Sequence, residues 1–325
     1  MKSYWIKAQD GGTAVELRDV PMPTPNAGEM IVRMRATSLN RGELLAAIGL
    51  HALTEPKLLG SDVSGEVHAV GEGVKGFKPG DRVVGRGRGA CSEYARLPVH
   101  QAALMPDKLT FEQAGAVPTA FVTAYEILFP WGKLKAGESL LVVGASSGVG
   151  VACVQIGKVL GCRVIGTSGS ADKLAKLKSL GLDVGLQARG GGFAAKAIEA
   201  TGGKGVNLAV DLVGGTAFAD ALRALSNQGR MAIVGYVDKT LTAEIDLEAV
   251  HGKRLQIFGV SNAHLTQGER AEAWKGFAVE VLPALADGRI VPVIDKVFSF
   301  ADLPAAKAYV DSNSQLGKVV VRHDA

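Results

Sequence analysis

The sequence predicts an α/β protein with two parts, one rich in short β-strands and one built on a doubly wound parallel sheet. Over the first third of the chain, β-type residues alternate with turn-forming glycines and prolines. From about residue 121, apolar runs of strand length alternate with segments of helix length, a pattern typical of parallel strands joined by crossover helices. The 325 residues, 47% of them hydrophobic, suffice for two domains with a large core.

The β-rich part comes first along the chain. Residues 30–36, 63–70 and 81–84 are predicted strands, because each is a short run of β-type residues bounded by turn signals. Pro21, Pro23, Gly71 and Gly73 lie among those signals. We expect this part to form an irregular, partly open barrel.

The parallel-sheet part follows. Its predicted strands are residues 140–143, 164–167, 206–211, 231–234 and 256–258. A helical stretch is predicted from Gly268 to about residue 285, followed by a strand at 293–298, a helix at 301–310 and a strand at 318–321. These last elements are predicted to return to the first domain. The predicted domains are therefore residues 1–122 with 266–325, and residues 123–265.

One turn carries the strongest functional signal. The strand at 140–143 leads into Gly144-Ala-Ser-Ser-Gly148-Val-Gly150, and an amphipathic helical pattern follows. Such a turn opens a dinucleotide-binding βαβ unit, where backbone amides and the helix N-terminus hold a pyrophosphate. The spacing departs from G-x-G-x-x-G, because Ala145 and Ser147 occupy two of the three fingerprint positions. An ordinary glycine-rich packing turn is the alternative.

The next strand indicates which dinucleotide binds. It ends in Ser168-Gly-Ser170, with Lys173 close behind, and not in an acidic residue. An Asp or Glu at that strand end would bind a free ribose 2′-hydroxyl and repel a 2′-phosphate. Serine and lysine favour the phosphate, so the predicted cofactor is NADPH.

Composition and charge exclude several other classes. The net charge of +4 comes from scattered lysines and arginines, which argues against nucleic-acid binding. No apolar run reaches transmembrane length and the N-terminus lacks a signal-peptide core, so we expect a cytoplasmic protein that does not bind membranes. The three cysteines and six histidines show no metal-ligand spacing, and Cys153 is predicted to be buried in a helix.

Several segments, in order along nearly the whole chain, share one family pattern. They include Ala36-Thr-Ser-Leu-Asn40-Arg-Gly-Glu, Gly60-Ser-Asp-Val-Ser-Gly-Glu-Val, Lys78-Pro-Gly-Asp-Arg-Val-Val-Gly85, Ala116-Val-Pro-Thr-Ala-Phe-Val-Thr-Ala-Tyr125, Asp211-Leu-Val-Gly-Gly215 and Leu316-Gly-Lys-Val-Val320. Together with the cofactor turn, they resemble the medium-chain dehydrogenase/reductase superfamily and, within it, the zinc-free quinone oxidoreductases. The resemblance implies a GroES-like catalytic domain made from both chain ends, an inserted Rossmann domain, an active site in the cleft between them, and a homodimer formed through edge strands near residues 256–260.

The resemblance also implies that no metal takes part. Zinc-dependent relatives place a Cys where Asn40 stands, a His near Ser61 and another Cys near Thr119, and none of these positions carries such a ligand here. The cysteine-rich structural zinc lobe is also missing. The implied reaction is hydride addition to an electrophilic acceptor, either a quinone or an alkene conjugated to a carbonyl.

The family match assigns candidate site residues to the two halves of NADPH. Around the phosphates they are Ser146, Ser147, Gly148 and Val149 for the pyrophosphate, Ser168 and Lys173 for the 2′-phosphate, and Arg189 where relatives carry a nearby tyrosine. Around the nicotinamide they are Asn40, Thr123, Val213, Gly235, Tyr236, Phe258, Gly259, Val260 and Lys318, with Asn40 also orienting the substrate carbonyl.

Structural alternatives stay open for four of these residues. Lys173 is alternatively a solvated helix lysine, Arg189 a surface loop arginine, Asn40 a turn or cap residue, and Lys318 a strand-edge lysine.

A catalytic acid is not evident in the sequence. The tyrosine that relatives often carry five positions after Asn40 is replaced by Leu45, and His51 and Tyr125 remain candidates without an assigned role. We therefore predict an NADPH-dependent quinone reductase. An alkenal or enone reductase is the enzymatic alternative, and an NADPH-binding redox sensor without turnover is the alternative from another class.

Overall fold

The computed structural model describes residues 1–9, 12–44 and 55–323. The predicted mixed α/β fold is confirmed: one part of the chain is rich in antiparallel strands and another carries a parallel sheet of six strands. Two compact units are present. The first comprises Met1–Val122 and Leu265–Ala325, and the second comprises Thr123–His264.

The first unit is built on two sheets. Its strands are β1 (Lys2–Gln9), β2 (Gly12–Asp19), β3 (Glu29–Ser38), β4 (Lys57–Leu58), β5 (Asp62–Val70), β6 (Arg82–Arg86), β7 (Tyr94–Pro98), β8 (Ala102–Leu104), β15 (Ile294–Ser299) and β16 (Lys318–Arg322). One sheet has the order β2-β1-β4, and the other has the order β15-β16-β3-β5-β6-β8 with β7 paired to β3. The helices are α1 (Arg41–Leu44), α2 (Phe111–Gly115), α9 (Gln267–Glu280), α10 (Leu282–Asp287) and α11 (Leu303–Asp311), while α3 (Pro118–Glu126) spans the boundary between the units.

Side chains along β3 alternate between the two faces of the sheet, and those on one face form part of the core of this unit. Met30, Val32 and Met34 point to one face and pack against residues of β5, β6 and β7. Antiparallel pairing places β3 between β16 and β5, with Ser38 opposite Val320. As a result, the end of β3, the start of β5 and the start of β16 meet at one edge of the sheet.

The second unit is a doubly wound domain. Its strands are β9 (Ser139–Val143), β10 (Arg163–Ser168), β11 (Val184–Gln187), β12 (Val206–Asp211), β13 (Leu225–Ile233) and β14 (Gln256–Gly259), and its helices are α4 (Gly148–Val159), α5 (Ala171–Lys178), α6 (Ala194–Glu199), α7 (Gly215–Arg223) and α8 (Leu247–Lys253). All strand pairs are parallel, in the order β11-β10-β9-β12-β13-β14. The chain order reverses between β9 and β12, and open parallel sheets bind ligands outside the strand ends at such a point.

Several elements differ from the sequence prediction. Strands β1, β2 and β11 were not predicted; β2 has no fully buried residue and β11 has only four residues, so neither gives a clear alternating pattern. The helix predicted to continue to residue 285 instead ends at Glu280, and a second helix carries Pro283 in its first turn. The helix predicted from residue 301 begins at Leu303, after a single 3₁₀ turn.

Burial agrees with the prediction for Cys153, which is fully buried in α4. Cys91 and Cys162 are also buried, and none of the three forms a disulfide. In the part of the chain that the structure describes, we find no helix long and apolar enough to cross a bilayer.

Candidate functional site

The turn between β9 and α4 has the backbone that a phosphate-binding turn needs. Gly144 has φ +84°, a conformation that favours glycine. Ser147 is the N-cap of α4, since its Oγ accepts a hydrogen bond from the amide of Gly150 at 3.1 Å. The same hydroxyl donates to the carbonyl of Gly144 at 3.0 Å. The side chain of Ser147 therefore fixes the shape of the turn.

Glycine at position 150 allows helix α4 to approach the end of β9. A Cβ on Gly150 would lie 2.5 Å from the carbonyl oxygen of Gly144 and 2.8 Å from the Cα of Ala145. Gly148 and Val149 are in the first helical turn, where amides have no acceptor within the helix. Those amides and the helix dipole form a place where an anionic phosphate can bind.

The end of β10 presents hydroxyl groups and an arginine. Ser168 is buried, and its Oγ donates to Ser146 Oγ at 3.3 Å, which links this strand end to the turn after β9. Arg189 lies against Gly169, where a Cβ would come within 2.6 Å of the arginine Nε. Lys173 is in the first turn of α5, which Ser170 caps. Arg189 is thus close to the position predicted for a 2′-phosphate.

The other predicted cofactor residues of this unit follow the remaining strands. Val213 comes after β12, Gly235 and Tyr236 come after β13, and Val260 comes after β14. Phe258 and Gly259 form the last two residues of β14. The strand is one residue longer than predicted because Gly259 still pairs with Ile233.

Asp211, at the end of β12, is a buried acid that the sequence did not mark as a site residue. Its Oδ1 accepts hydrogen bonds from the amides of Val213 (2.8 Å) and Gly214 (3.0 Å). Its Oδ2 is buried and has no hydrogen-bond partner among the described residues. Burial raises the pKa of Asp211 to about 6, and the charge of Asp238 adds to the effect, although the two amide hydrogen bonds oppose it.

Thr123 is held by a residue that the sequence did not single out. Asn262 donates a hydrogen bond from Nδ2 to Thr123 Oγ1 at 2.9 Å, and Thr123 is buried. Asn262 follows β14, whereas Thr123 lies in α3. This contact restricts the rotamer of the threonine that the resemblance assigns to the nicotinamide end.

Within the first unit, polar side chains from four separate segments lie together. We call this cluster the polar ring; its members are Asn40, Glu43, Ser61, Asp62, Thr119 and Lys318. Asp62 is fully buried and accepts from Ser38 Oγ (2.6 Å), Asn40 Nδ2 (3.0 Å), and both the amide (2.8 Å) and the hydroxyl (2.6 Å) of Thr119. Four donors compensate for the desolvation of this carboxylate.

Lys318 provides the positive charge of the polar ring. Only 7% of the residue is exposed, and its Nζ donates to Asn40 Oδ1 at 2.5 Å and to the carbonyl of Leu39 at 3.4 Å. The same nitrogen lies 3.5 Å from Asp62 Oδ2. Lys318 is therefore not a solvated lysine at a strand edge, and it fixes the orientation of the Asn40 amide.

Glu43 is the second acid of the polar ring. Its Oε1 accepts from Asn40 Nδ2 at 3.2 Å and from the hydroxyl of Ser61, while its Oε2 is shielded from solvent and has no hydrogen-bond partner among the described residues. Burial raises the pKa of Glu43, and the charge of Asp62 raises it further. Sequence reasoning missed this acid; its one signal is its position three residues after Asn40.

Asn40 thus has two structural tasks. It precedes α1, as a cap residue would, and its amide bridges the two acids of the polar ring. Ser61 Oγ and Thr119 Oγ1 lie 3.3 Å apart and form a second bridge between those acids.

The candidate His51 lies outside the described residues, as does Leu45, which stands where relatives often carry a tyrosine. Tyr125 lies in α3 and its ring stacks on Phe129 at 5.2 Å between centroids. Across residues 1–9, 12–44 and 55–323, no group of three or more His, Cys, Asp or Glu side chains is arranged to hold a metal ion.

Comparison with known proteins gives the family. An alcohol dehydrogenase GroES-like domain model matches residues 26–107, and a zinc-binding dehydrogenase model matches residues 148–279. Quinone oxidoreductase from Rattus norvegicus is 30% identical over 93% of this chain and 92% of its own length. The spectinabilin polyketide synthase system protein NorB from Streptomyces orinoci is 33% identical over 96% of this chain, which spans only 14% of that protein.

A solved structure extends the likeness to three dimensions. Escherichia coli quinone oxidoreductase complexed with NADPH superimposes with a TM-score of 0.87 at 26% identity, over 99% of this chain and 100% of that one. The chain belongs to the quinone oxidoreductase family of the medium-chain dehydrogenase/reductase superfamily.

Proposed function

We propose that this protein is an NADPH-dependent, zinc-independent oxidoreductase that reduces a quinone or a similarly electrophilic acceptor. The observation that carries the proposal is the end of β10, where Ser168 meets the phosphate-binding turn and Arg189 lies against Gly169. No acidic side chain ends that strand, so a 2′-phosphate meets hydroxyl groups and positive charge. The likeness to a quinone oxidoreductase complexed with NADPH supports the same cofactor.

The chain offers separate sets of residues to the two halves of the cofactor. The amides of Gly148 and Val149, with Ser146 beside them and Ser147 shaping the turn, bind the pyrophosphate. Ser168, Lys173 and Arg189 bind the 2′-phosphate. The nicotinamide half is assigned to Asn40, Thr123, Val213, Gly235, Tyr236, Phe258, Gly259, Val260 and Lys318. When bound, NADPH supplies the hydride.

Zinc independence is supported by the chemistry of the polar ring. Asn40, Ser61 and Thr119 stand where zinc-dependent relatives carry ligands, and they offer an amide and hydroxyls instead of thiolate or imidazole. The ammonium group of Lys318 lies 2.5 Å from Asn40 Oδ1, so a cation already occupies this cluster. In place of a metal, the residues hold the Asn40 amide, whose Nδ2 donates to Asp62 and to Glu43. We assign this amide to orienting the substrate carbonyl, for which the 3.2 Å hydrogen bond to Glu43 would be exchanged for one to the substrate.

The first experiment is to titrate the purified protein with NADPH and NADH, following nicotinamide fluorescence, and then to add 1,4-benzoquinone. We expect tighter binding of NADPH, followed by its oxidation. Arg189→Ala should weaken NADPH binding about tenfold and leave NADH binding unchanged, because it removes one charged partner of the 2′-phosphate.

Arg163→Ala is the matched control, because Arg163 is exposed at the opposite end of the same strand. Equal or tighter binding of NADH by the wild type would overturn the assignment of NADPH.

An enone reductase is a second candidate, favoured by the likeness to the solved structure of CurK enoyl reductase, with a TM-score of 0.83 at 25% identity. Reduction of α,β-unsaturated ketones faster than quinones would support it. Tight NADPH binding with reduction of neither acceptor class would instead support a redox sensor.

We also propose a cytoplasmic homodimer assembled through β14. This strand ends the six-stranded sheet, so one of its sides offers backbone groups for pairing with another chain. Trp131, which is 58% exposed, stacks on Phe258 of this strand at 6.5 Å between centroids. Light scattering should give the mass of two chains, and a monomer would contradict this assembly.

A further inference from the structure

We propose that the acceptor reduced by this protein carries an anionic group, which Arg88 and Arg96 bind. This inference rests on the reductase function proposed above and adds a substrate class to it: quinones or enones that bear a carboxylate, a sulfonate or a phosphate. Three observations support it. The two arginines oppose each other across a strand pair, their charges are not neutralised by a neighbouring acid among the described residues, and they share a sheet face with part of the polar ring.

Arg88 and Arg96 face each other on adjacent chain segments of the first unit. The amide of Arg88 donates to the carbonyl of Arg96 at 2.9 Å, and the amide of Arg96 donates to the carbonyl of Arg88 at 3.1 Å. Residues that exchange both hydrogen bonds have Cα atoms about 5.5 Å apart and side chains on the same face. Like charges placed directly opposite each other destabilise a sheet, and an anion bound between them would remove the repulsion.

The two guanidinium groups are available to a ligand. Within the described ranges of the chain, neither forms an ion pair with an acid. Arg88 is exposed, whereas Arg96 is partly exposed and its buried Nε has no hydrogen-bond partner among those residues. The acid three residues before Arg96, Glu93, accepts from the amide of Lys2 at 2.7 Å. Since the planar guanidinium group matches the geometry of carboxylate and phosphate, such an anion would satisfy both arginines.

Strand pairing connects the two arginines to the polar ring. Arg86 of β6 lies opposite Asp62 of β5, so their side chains share a face of the sheet. The pairing continues at Gly87, whose amide donates to the carbonyl of Ser61 at 2.9 Å. Side chains two residues apart along an extended segment point to the same face, so Arg88 follows Arg86 at a spacing of about 6–7 Å. Positive charge therefore extends from the polar ring to the exposed Arg88.

This arrangement favours an acceptor with a reducible end and an anionic end. Asn40 of the polar ring is assigned to the carbonyl at the reducible end. A short chain of atoms would then carry the anionic group to Arg88 and Arg96. Two charge-assisted contacts at that end would restrict the movement of the reacting carbon before the hydride arrives from NADPH. Neutral acceptors lack these contacts.

The test compares 1,4-benzoquinones that carry carboxyalkyl chains of increasing length with their methyl esters. The two members of each pair have the same ring and differ by one negative charge. With NADPH oxidation as the readout, the wild type should have a KM about tenfold lower for the carboxylate than for the ester, at the chain length that reaches the arginines. The difference should shrink as salt is added, because Arg88 is exposed.

Variants assign this preference to the two arginines. Arg88→Gln and Arg96→Gln should each raise KM for the carboxylate about tenfold, and leave NADPH binding and KM for the ester unchanged. Arg88→Lys keeps the charge but loses the planar fork, so its KM should lie between those of Arg88→Gln and the wild type. Arg289→Gln is the matched control, since Arg289 is an exposed arginine of the same unit, paired with Asp287 at 2.8 Å. It should change neither KM.

A second measurement needs neither cofactor nor acceptor. At low ionic strength, the thermal midpoint of Arg88→Gln should exceed that of the wild type, because the substitution removes the repulsion with Arg96. Added inorganic phosphate should raise the midpoint of the wild type more than that of the variant, since a bound anion stabilises the folded state. A variant without a raised midpoint would mean that the two charges are already compensated in the free protein, which would overturn the proposal.

The kinetic outcomes separate this inference from the reductase function. Equal KM values for carboxylate and ester at every chain length would overturn the anionic acceptor and leave the reductase function standing. A carboxylate preference that survives in both glutamine variants would overturn the assignment to Arg88 and Arg96. A wild type that binds NADPH and reduces neither member of any pair would overturn the reductase function itself.

Discussion

Asp62 in the first unit and Asp211 in the second are both almost completely buried, yet they are stabilised in different ways. Asp62 accepts from three side-chain groups and one amide, and an ammonium group lies 3.5 Å away. Asp211 accepts from two backbone amides on a single oxygen, and the acid near it is Asp238. The first unit therefore compensates the buried charge of Asp62, whereas in the second unit one oxygen of Asp211 has no hydrogen-bond partner among the residues described.

The contrast predicts how the stability of each unit depends on the charge of its buried acid. Removing the Asp62 carboxylate would leave several donors and a buried cation without their acceptor, so the first unit depends on that charge. Asp211 has a pKa raised to about 6, chiefly by burial, and the folded second unit is therefore more stable when this group is neutral. Mutation tests the first statement, and pH tests the second.

The largest expected effect comes from Asp62→Ala. We expect the free energy of unfolding to fall by about 3–5 kcal/mol, because the ammonium of Lys318 stays buried without its carboxylate. Urea unfolding followed by circular dichroism measures the loss. Adding Lys318→Met to this variant should recover part of the stability, since it removes the uncompensated charge. A loss below about 1 kcal/mol in the single variant would contradict the contrast, because exposed ion pairs give such values.

A somewhat smaller effect is expected from pH acting on Asp211. Because the folded state binds this proton more tightly than the unfolded state, its stabilising contribution is complete below the ordinary pKa of 3.8 and is lost as pH rises through about 6. The loss amounts to about 3 kcal/mol. Urea unfolding of wild type and Asp211→Asn at a series of pH values isolates it, since the variant cannot titrate at this position.

The exposed Glu199 supplies the control for that series. Glu199→Gln should follow the wild-type curve, whereas Asp211→Asn should lack the decline between the two pKa values. Parallel curves for wild type and Asp211→Asn would mean that Asp211 ionises equally easily in both states.

The sequence predicted much of the fold because the relevant signals are local. The turn from Gly144 to Gly150 combines a strand, a cap and close backbone packing within a few consecutive residues. Strand β2 escaped prediction because its residues are partly exposed along both faces, so its position depends on pairing with β1 and not on a pattern of its own.

The polar ring was harder to predict because its members are far apart in sequence. The family resemblance pointed to Asn40 and Lys318, which are 278 residues apart and in contact. Glu43 and Asp62 belong to residue types that are mostly exposed, and nothing in their local sequence indicates burial. Only the pairing of β3 with β5 and β16 brings these charges together.

The smallest expected effect comes from Ser38→Ala, which removes one hydrogen-bond donor of Asp62 and changes no charge. Ser38 is fully buried and donates to Asp62 Oδ2 at 2.6 Å, so Ser38→Ala should lower the free energy of unfolding by about 1.5 kcal/mol. In the Asp62→Ala background the same substitution should cost much less, because its acceptor is already gone. An undiminished cost in that background would mean that Ser38 stabilises the unit through packing. The compensation of Asp62 would then rest on Lys318, Asn40 and Thr119 alone.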